Sequence, residues 1–112
     1  MQNLRLEAVN VSKNNNKKFE AVFTYTKNGQ QLKSSTRFGD SRYEDYTQHE
    51  DKKRRELYRV RHKNDNLEDP LSAGSLSWWI LWGDTISITR NVNLYRKHFN
   101  LPMNKINYGI PQ

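Results

Sequence analysis

Ser75 to Asp84 is the stretch that most constrains how this chain can fold. It reads Ser75-Leu76-Ser77-Trp78-Trp79-Ile80-Leu81-Trp82-Gly83-Asp84, and all three tryptophans fall within five residues of it. Each buried indole removes roughly 150–250 Å² from water, so a chain whose hydrophobic share is only 34% should be organised around this segment. On a regular helix Leu76, Trp79 and Ile80 share one face, and Trp78 and Trp82 share an adjacent one. Five consecutive bulky apolar side chains are more than one face of a small sheet can cover. One indole is therefore expected to stay partly uncovered or to touch another chain. Trp78 is the expected one, and Trp78 with Trp82 forms a candidate protein interface.

The N-terminal third reads as a β-meander over residues 4–38. Leu4, Leu6 and Ala8 alternate with Arg5 and Glu7, the period of a half-buried strand. The polar run from Ser12 to Lys18 breaks the pattern as a loop. Phe19, Ala21, Phe23 and Tyr25 then line one face of a second strand. Asn28-Gly29 marks a hairpin, and Leu32, Ser34, Thr36 and Phe38 continue as a third strand, with Gly39-Asp40 ending the sheet. Three strands need a cover, which the second half of the chain should supply.

That half reads as about three helices. Ser41 is placed to cap a short turn carrying Tyr43 and Tyr46, and Thr47 to cap a helix over residues 50–63. Glu50 with Arg54 and Asp51 with Arg55 have the favourable i,i+4 spacing. Asp69-Pro70 suits the start of a second helix that passes through Ala73 and Gly74 into the tryptophans, with Gly83 as its stop. A third helix follows, capped by Thr85 or Ser87. Its stripe of Ile88, Val92, Tyr95 and Phe99 should be buried, and Pro102 closes it. The expectation is an α+β fold: a three-stranded antiparallel meander followed by helices packing on one face. Residues 1–100 form a single domain, and residues 101–112 an extended tail that either packs on a neighbour or is mobile.

Charge narrows the function. The formal net charge is +7 and the isoelectric point is near 9.8, which favours polyanions as partners. The charge concentrates in Lys52–Lys63, where Lys52, Lys53, Arg54, Arg55, Arg59, Arg61 and Lys63 face a single acid, Glu56. Such a helix can neutralise phosphates with little sequence preference. Equally, the run can be a solvated face paired with the acidic residues between Asp40 and Asp51. No zinc-finger spacing, GxxG loop or RNP-type sequence accompanies it, which argues against sequence-specific recognition.

Other chemistry finds little footing. The chain has no cysteine, which excludes disulfides and thiolate chemistry. His49, His62 and His98 lack metal-ligand spacing. Asp45 and His49 have i,i+4 spacing but no nucleophile nearby. No enzyme, metal or cofactor is expected. The apolar run from Trp78 to Trp82 is far below the ~20 residues of a membrane span, and the N-terminal residues lack a signal-peptide core. A soluble protein not secreted by a signal peptide is therefore expected.

Several residues in order carry a resemblance: Phe38-Gly39, Tyr43, Asp45-Tyr46-Thr47-Gln48-His49, Arg54-Arg55, Tyr58 and Arg61-His62-Lys63, then Asp69-Pro70, Ala73-Gly74 and Ser77-Trp78-Trp79-Ile80-Leu81-Trp82. Over roughly Arg37 to Phe99 the chain resembles a family of short basic proteins of unknown function encoded by large DNA viruses of algae and protists. It departs from that pattern at Leu67, where an aromatic is usual, and at Ser72, where Thr is usual. The resemblance implies a viral setting, in the virion or in the host-cell cytoplasm and viral factory, and transfers no functional residue. Together with the charge it leads to an expected virion-associated protein binding nucleic acid non-specifically, or acidic viral proteins. The alternatives are a minor capsid protein held by protein contacts, which can oligomerise, and an intracellular adaptor.

Overall fold

A computed structural model describes residues 2–109. Strands β1 (Gln2–Val11), β2 (Lys17–Lys27) and β3 (Gln30–Asp40) form the antiparallel meander. Helices α1 (Tyr46–His49), α2 (Lys52–His62), α3 (Ala73–Leu76) and α4 (Ile88–His98) follow, and a short strand β4 (Asn107–Gly109) comes last. The α+β class is as expected, with a fourth strand added. Sheet order is β3-β2-β1-β4, with β4 parallel to β1.

The hairpin between β2 and β3 forms where Asn28 and Gly29 both take positive φ, 51° and 78°, the requirement of a two-residue primed turn. Phe23, Ala21 and Phe38 lie buried on one face of the sheet as their alternation implies. Strand β3 ends with Gly39-Asp40, where the sheet was expected to end.

In β1 the alternation of Leu4, Leu6 and Ala8 is interrupted. Leu6 pairs with Phe23 and Ala8 with Val22, so Glu7 is an extra residue. A bulge of this kind moves the following side chains to the other face. Val9 therefore joins Leu6 in the core, and Ala8 does not.

The core closes where Leu76, Ile80 and Leu81 meet the sheet and where Val92 and Tyr95 of α4 meet both. Ser77–Leu81 is a π-helical turn continuing α3, and Trp82 donates its backbone N–H to the Ser77 carbonyl at 3.0 Å. A π-turn holds more residues than a regular turn. With that extra residue Leu81 lies in the core, and Trp79 packs at its edge. The grouping of Leu76, Trp79 and Ile80 on one face is thus corrected to Leu76, Ile80 and Leu81. The aliphatics are buried, and all three indoles are half-buried around them.

Gly83 stands just past the C-cap Trp82 and ends this turn as expected, but without a positive φ. A Cβ at that position would lie 2.1 Å from the Trp79 carbonyl oxygen and 3.1 Å from Asn91 Cγ. Glycine is needed there so that the chain leaving the π-turn can press against α4. Asn91 is fully buried at this joint and donates to the Ile80 and Thr85 carbonyls, both at 2.8 Å.

Most helix caps also differ from expectation. Asp45, not Ser41, caps α1 in a reciprocal box with Gln48, and Asp51, not Thr47, caps α2. Carboxylates accept N–H groups at a helix start and also suit its dipole. Thr47 instead lies inside α1 and donates to Asp45 Oδ1. Asp69-Pro70 sits in a turn, with Asp69 accepting from the Leu71 N–H at 2.8 Å, and Ser72 caps α3. Ser87 is the cap of α4. That helix ends at His98, ahead of Pro102, with Phe99 as its C-cap and Asn100 just beyond it at φ 57°.

The segment after α4 returns to the sheet. Ile106 is buried, and Asn107–Gly109 pair with Ala8–Asn10. Arg96, only 6% exposed, donates to the Asn104 carbonyl at 2.6 Å and to Asn93 Oδ1 at 2.7 Å. Carbonyl and amide dipoles thus hold this buried cation without a carboxylate among the described residues. Residues 110–112 of the expected tail lie outside those described.

Candidate anion-binding surface

Helix α2 carries the site and is attached to the body in an unusual way. None of its residues is buried. Its inward side chains are long and polar or aromatic, and they grip the rim of the π-turn. Arg55 donates from Nε to the Gly83 carbonyl at 2.5 Å and pairs with Asp84 at 2.9 Å. Arg59 donates to the Trp82 carbonyl at 3.1 Å, and its guanidinium lies 4.5 Å over the Trp78 ring. Both arginines therefore satisfy carbonyls at the end of a helical segment while neutralising Asp84.

Tyr58 completes the grip. Its ring stacks on Trp82 at 4.2 Å, nearly parallel, and on His62 at 4.2 Å. Burial raises its phenol to about 12, with the charge of Asp65 adding to the effect. The hydroxyl therefore stays protonated, and the ring acts as an uncharged stacking partner.

The seven basic residues of Lys52–Lys63 consequently divide. Arg55 and Arg59 are drawn inward. Lys52, Lys53, Arg54, Arg61 and Lys63 are exposed and form no ion pair with any described residue. The expected helical pairs do not form. Asp51 spends its carboxylate on the Lys53 and Arg54 N–H groups, Glu50 sits in the left-handed C-cap of α1, and Arg55 turns to Asp84. Leu57 and Val60, the two aliphatic side chains of the helix, point outward at 55% and 64% exposure.

Trp78 and Trp82, the candidate interface, are each covered on one side, by Arg59 and by Tyr58 with His49 respectively. Trp79 stacks on His98 at 4.4 Å. No single indole is left uncovered, because each half-buried ring is faced by a polar side chain from α1, α2 or α4. The three histidines do not converge: His62 binds Asp65 at 2.8 Å, and the other two pack on tryptophans. Among the described residues no cluster of three or more histidine or carboxylate side chains is placed to hold a metal.

Beside α2 lies a cleft of about 690 Å³, bounded by the start of β2, residues 39–45 and the beginning of the π-turn. Its α2 wall carries Arg54, Leu57 and Arg61. Asp40, Glu44 and Asp45, with Lys17 and Lys18, form the other wall. Asp45 is buried and bound to Lys18 at 2.7 Å. Hydrogen bonds from the Arg42 side chain and backbone hold Asp40 down to about 2. Tyr43 stands at the rim, 63% exposed. Sequence reasoning found the basic helix but not the cleft. The residues that complete it, Lys17, Lys18 and Glu44, come from segments distant in the chain with no shared pattern.

A family of unknown function (DUF5754) matches residues 8–62. The matched span takes in most of the meander together with α1 and α2, and it stops short of the tryptophan segment. No curated protein and no solved structure matches the chain.

Proposed function

We propose that this is a small basic binding protein, without catalysis, that engages nucleic acid or other anionic partners non-specifically through the outward face of α2. The observation that carries the reading is the division of the basic run. Arg55 and Arg59, with Tyr58, attach the helix, and five cations remain exposed with no ion-pair partner among the described residues. Unpaired cations on a rigid helix suit phosphates, whose counterions are released on binding. The resemblance to proteins of large DNA viruses sets the proposed location: the virion, or the cytoplasm and viral factory of an infected cell.

A second reading is a minor capsid or adaptor protein held by protein contacts. The exposure of Leu57 and Val60 beside Arg54 and Arg61 favours it, since aliphatic side chains add more to a protein contact than to a phosphate contact.

Replacing Lys53, Arg54 and Arg61 together with Glu tests the proposal while sparing the inward arginines. The variant should fold normally and lose retention on non-specific DNA and heparin at low salt. Unchanged retention sinks the polyanion reading. Mass spectrometry of purified virions beside infected-cell extract separates a packaged component from an adaptor.

A further inference from the structure

We propose that the cleft beside α2 receives an unpaired base, so that the protein prefers single-stranded nucleic acid to duplex. This rests on α2 as a phosphate-binding helix and adds a second contact to it.

The two walls of the cleft differ in charge: the α2 wall is cationic and the opposite one close to neutral. Arg54 and Arg61 stand on the α2 wall, exposed and without ion pairs among the described residues, where a phosphate backbone following the helix would run. Across from them, Asp40 is engaged by Arg42 and Asp45 by Lys18, while Glu44 and Lys17 are both exposed and in no ion pair with a described residue. An acidic peptide lying along the arginines would gain no further cation there beyond Lys17, and would set its carboxylates beside Glu44. A nucleobase is uncharged, and its amino and imino groups donate hydrogen bonds that a carboxylate accepts. A nucleotide therefore fits both walls, with its phosphate on the arginines and its base toward Glu44.

The surfaces between the walls suit a base. Leu57 is apolar and 55% exposed. Tyr43 is 63% exposed, and its ring meets the Arg42 guanidinium at 5.6 Å. An aromatic face of this kind stacks on any base with little sequence preference. Tyr58, by contrast, is already stacked between Trp82 and His62 and contributes only to the wall. At about 690 Å³ the cleft falls within the size range of small-ligand sites.

Charge alone would rank the two forms the other way. Duplex DNA has the higher charge density and the steeper counterion term, but its bases are stacked inside and present only phosphates to α2. A preference for the single strand must then come from the cleft.

The test is anisotropy of a labelled mixed-sequence oligonucleotide, alone and annealed to its complement, titrated with the full chain at one salt concentration. The single strand should bind about tenfold tighter, the scale of one base–aromatic contact. Tyr43→Ala, at an exposed position that leaves folding intact by circular dichroism, should erase the difference without weakening duplex binding. Equal affinities, or a preference that survives Tyr43→Ala, overturn the proposal and leave the polyanion reading standing. Binding of neither form overturns both. Binding of poly-glutamate in place of nucleic acid assigns the surface to an acidic protein and overturns the base site.

Discussion

Helices α2 and α4 are both eleven residues long and both start at a side-chain cap, yet they are held in opposite ways. Helix α4 buries Asn91, Val92, Tyr95 and Arg96, whereas the inward residues of α2 are only half-buried. Helix α4 is part of the core. Helix α2 is clamped to the outside of the π-turn by Arg55, Tyr58 and Arg59, which reach carbonyls and indole faces. A helix secured by a few long side chains keeps most of its surface free for a partner. One secured by its apolar stripe has spent that surface on stability. The difference separates the part of this molecule that folds it from the part available for binding.

The comparison is easiest to break at the joint the two helices share. Gly83 accepts from Arg55 of α2 and lies against Asn91 of α4. Its missing Cβ would meet a backbone oxygen, which cannot turn aside as a side chain can. Gly83→Ala should therefore cost about 3 kcal/mol or more, read by chemical denaturation. A variant as stable as the parent would mean that the joint does not couple the helices. The two valines offer a sharper contrast. Val92→Ala should cost about 2 kcal/mol, from two buried carbons and the cavity they leave. Val60→Ala should fall within about 0.5 kcal/mol of the parent. The smallest contrast lies within α2. Arg55→Ala should cost about 1–2 kcal/mol, because its charged hydrogen bonds are only partly screened. Arg54→Ala should leave stability unchanged while lowering the salt concentration that elutes the protein from heparin. Equal stability costs for the two arginines would erase the distinction between inward and outward cations.

Much of the fold could be read from local pattern. The alternation of Phe19, Ala21 and Phe23, the Asn28-Gly29 turn, and the stripe of Val92 and Tyr95 all lie where their periods place them. The failures share a cause. The bulge at Glu7 and the π-turn at Ser77–Leu81 each insert one residue into a regular period, and no side-chain pattern marks the insertion. Capping was misassigned because several Ser, Thr and Asp residues sit near each helix start. Which of them reaches the N–H groups depends on the path of the incoming chain. The buried cation Arg96 and the cleft left no local signal at all, since carbonyls and side chains from distant segments complete both.

From its sequence alone, then, this chain determined a meander, a tryptophan segment beside the core, and a helix dense in positive charge. Those are consequences of residue type and spacing along one element. The tertiary structure decided which indoles were covered, and it left each of them half-buried rather than central. It also decided which cations were consumed in holding carbonyls and which remained outside. In the sequence Arg54 and Arg55 are adjacent and chemically identical. Only the position of the π-turn, with its unpaired carbonyls and Asp84, turns one into a structural clamp and leaves the other free.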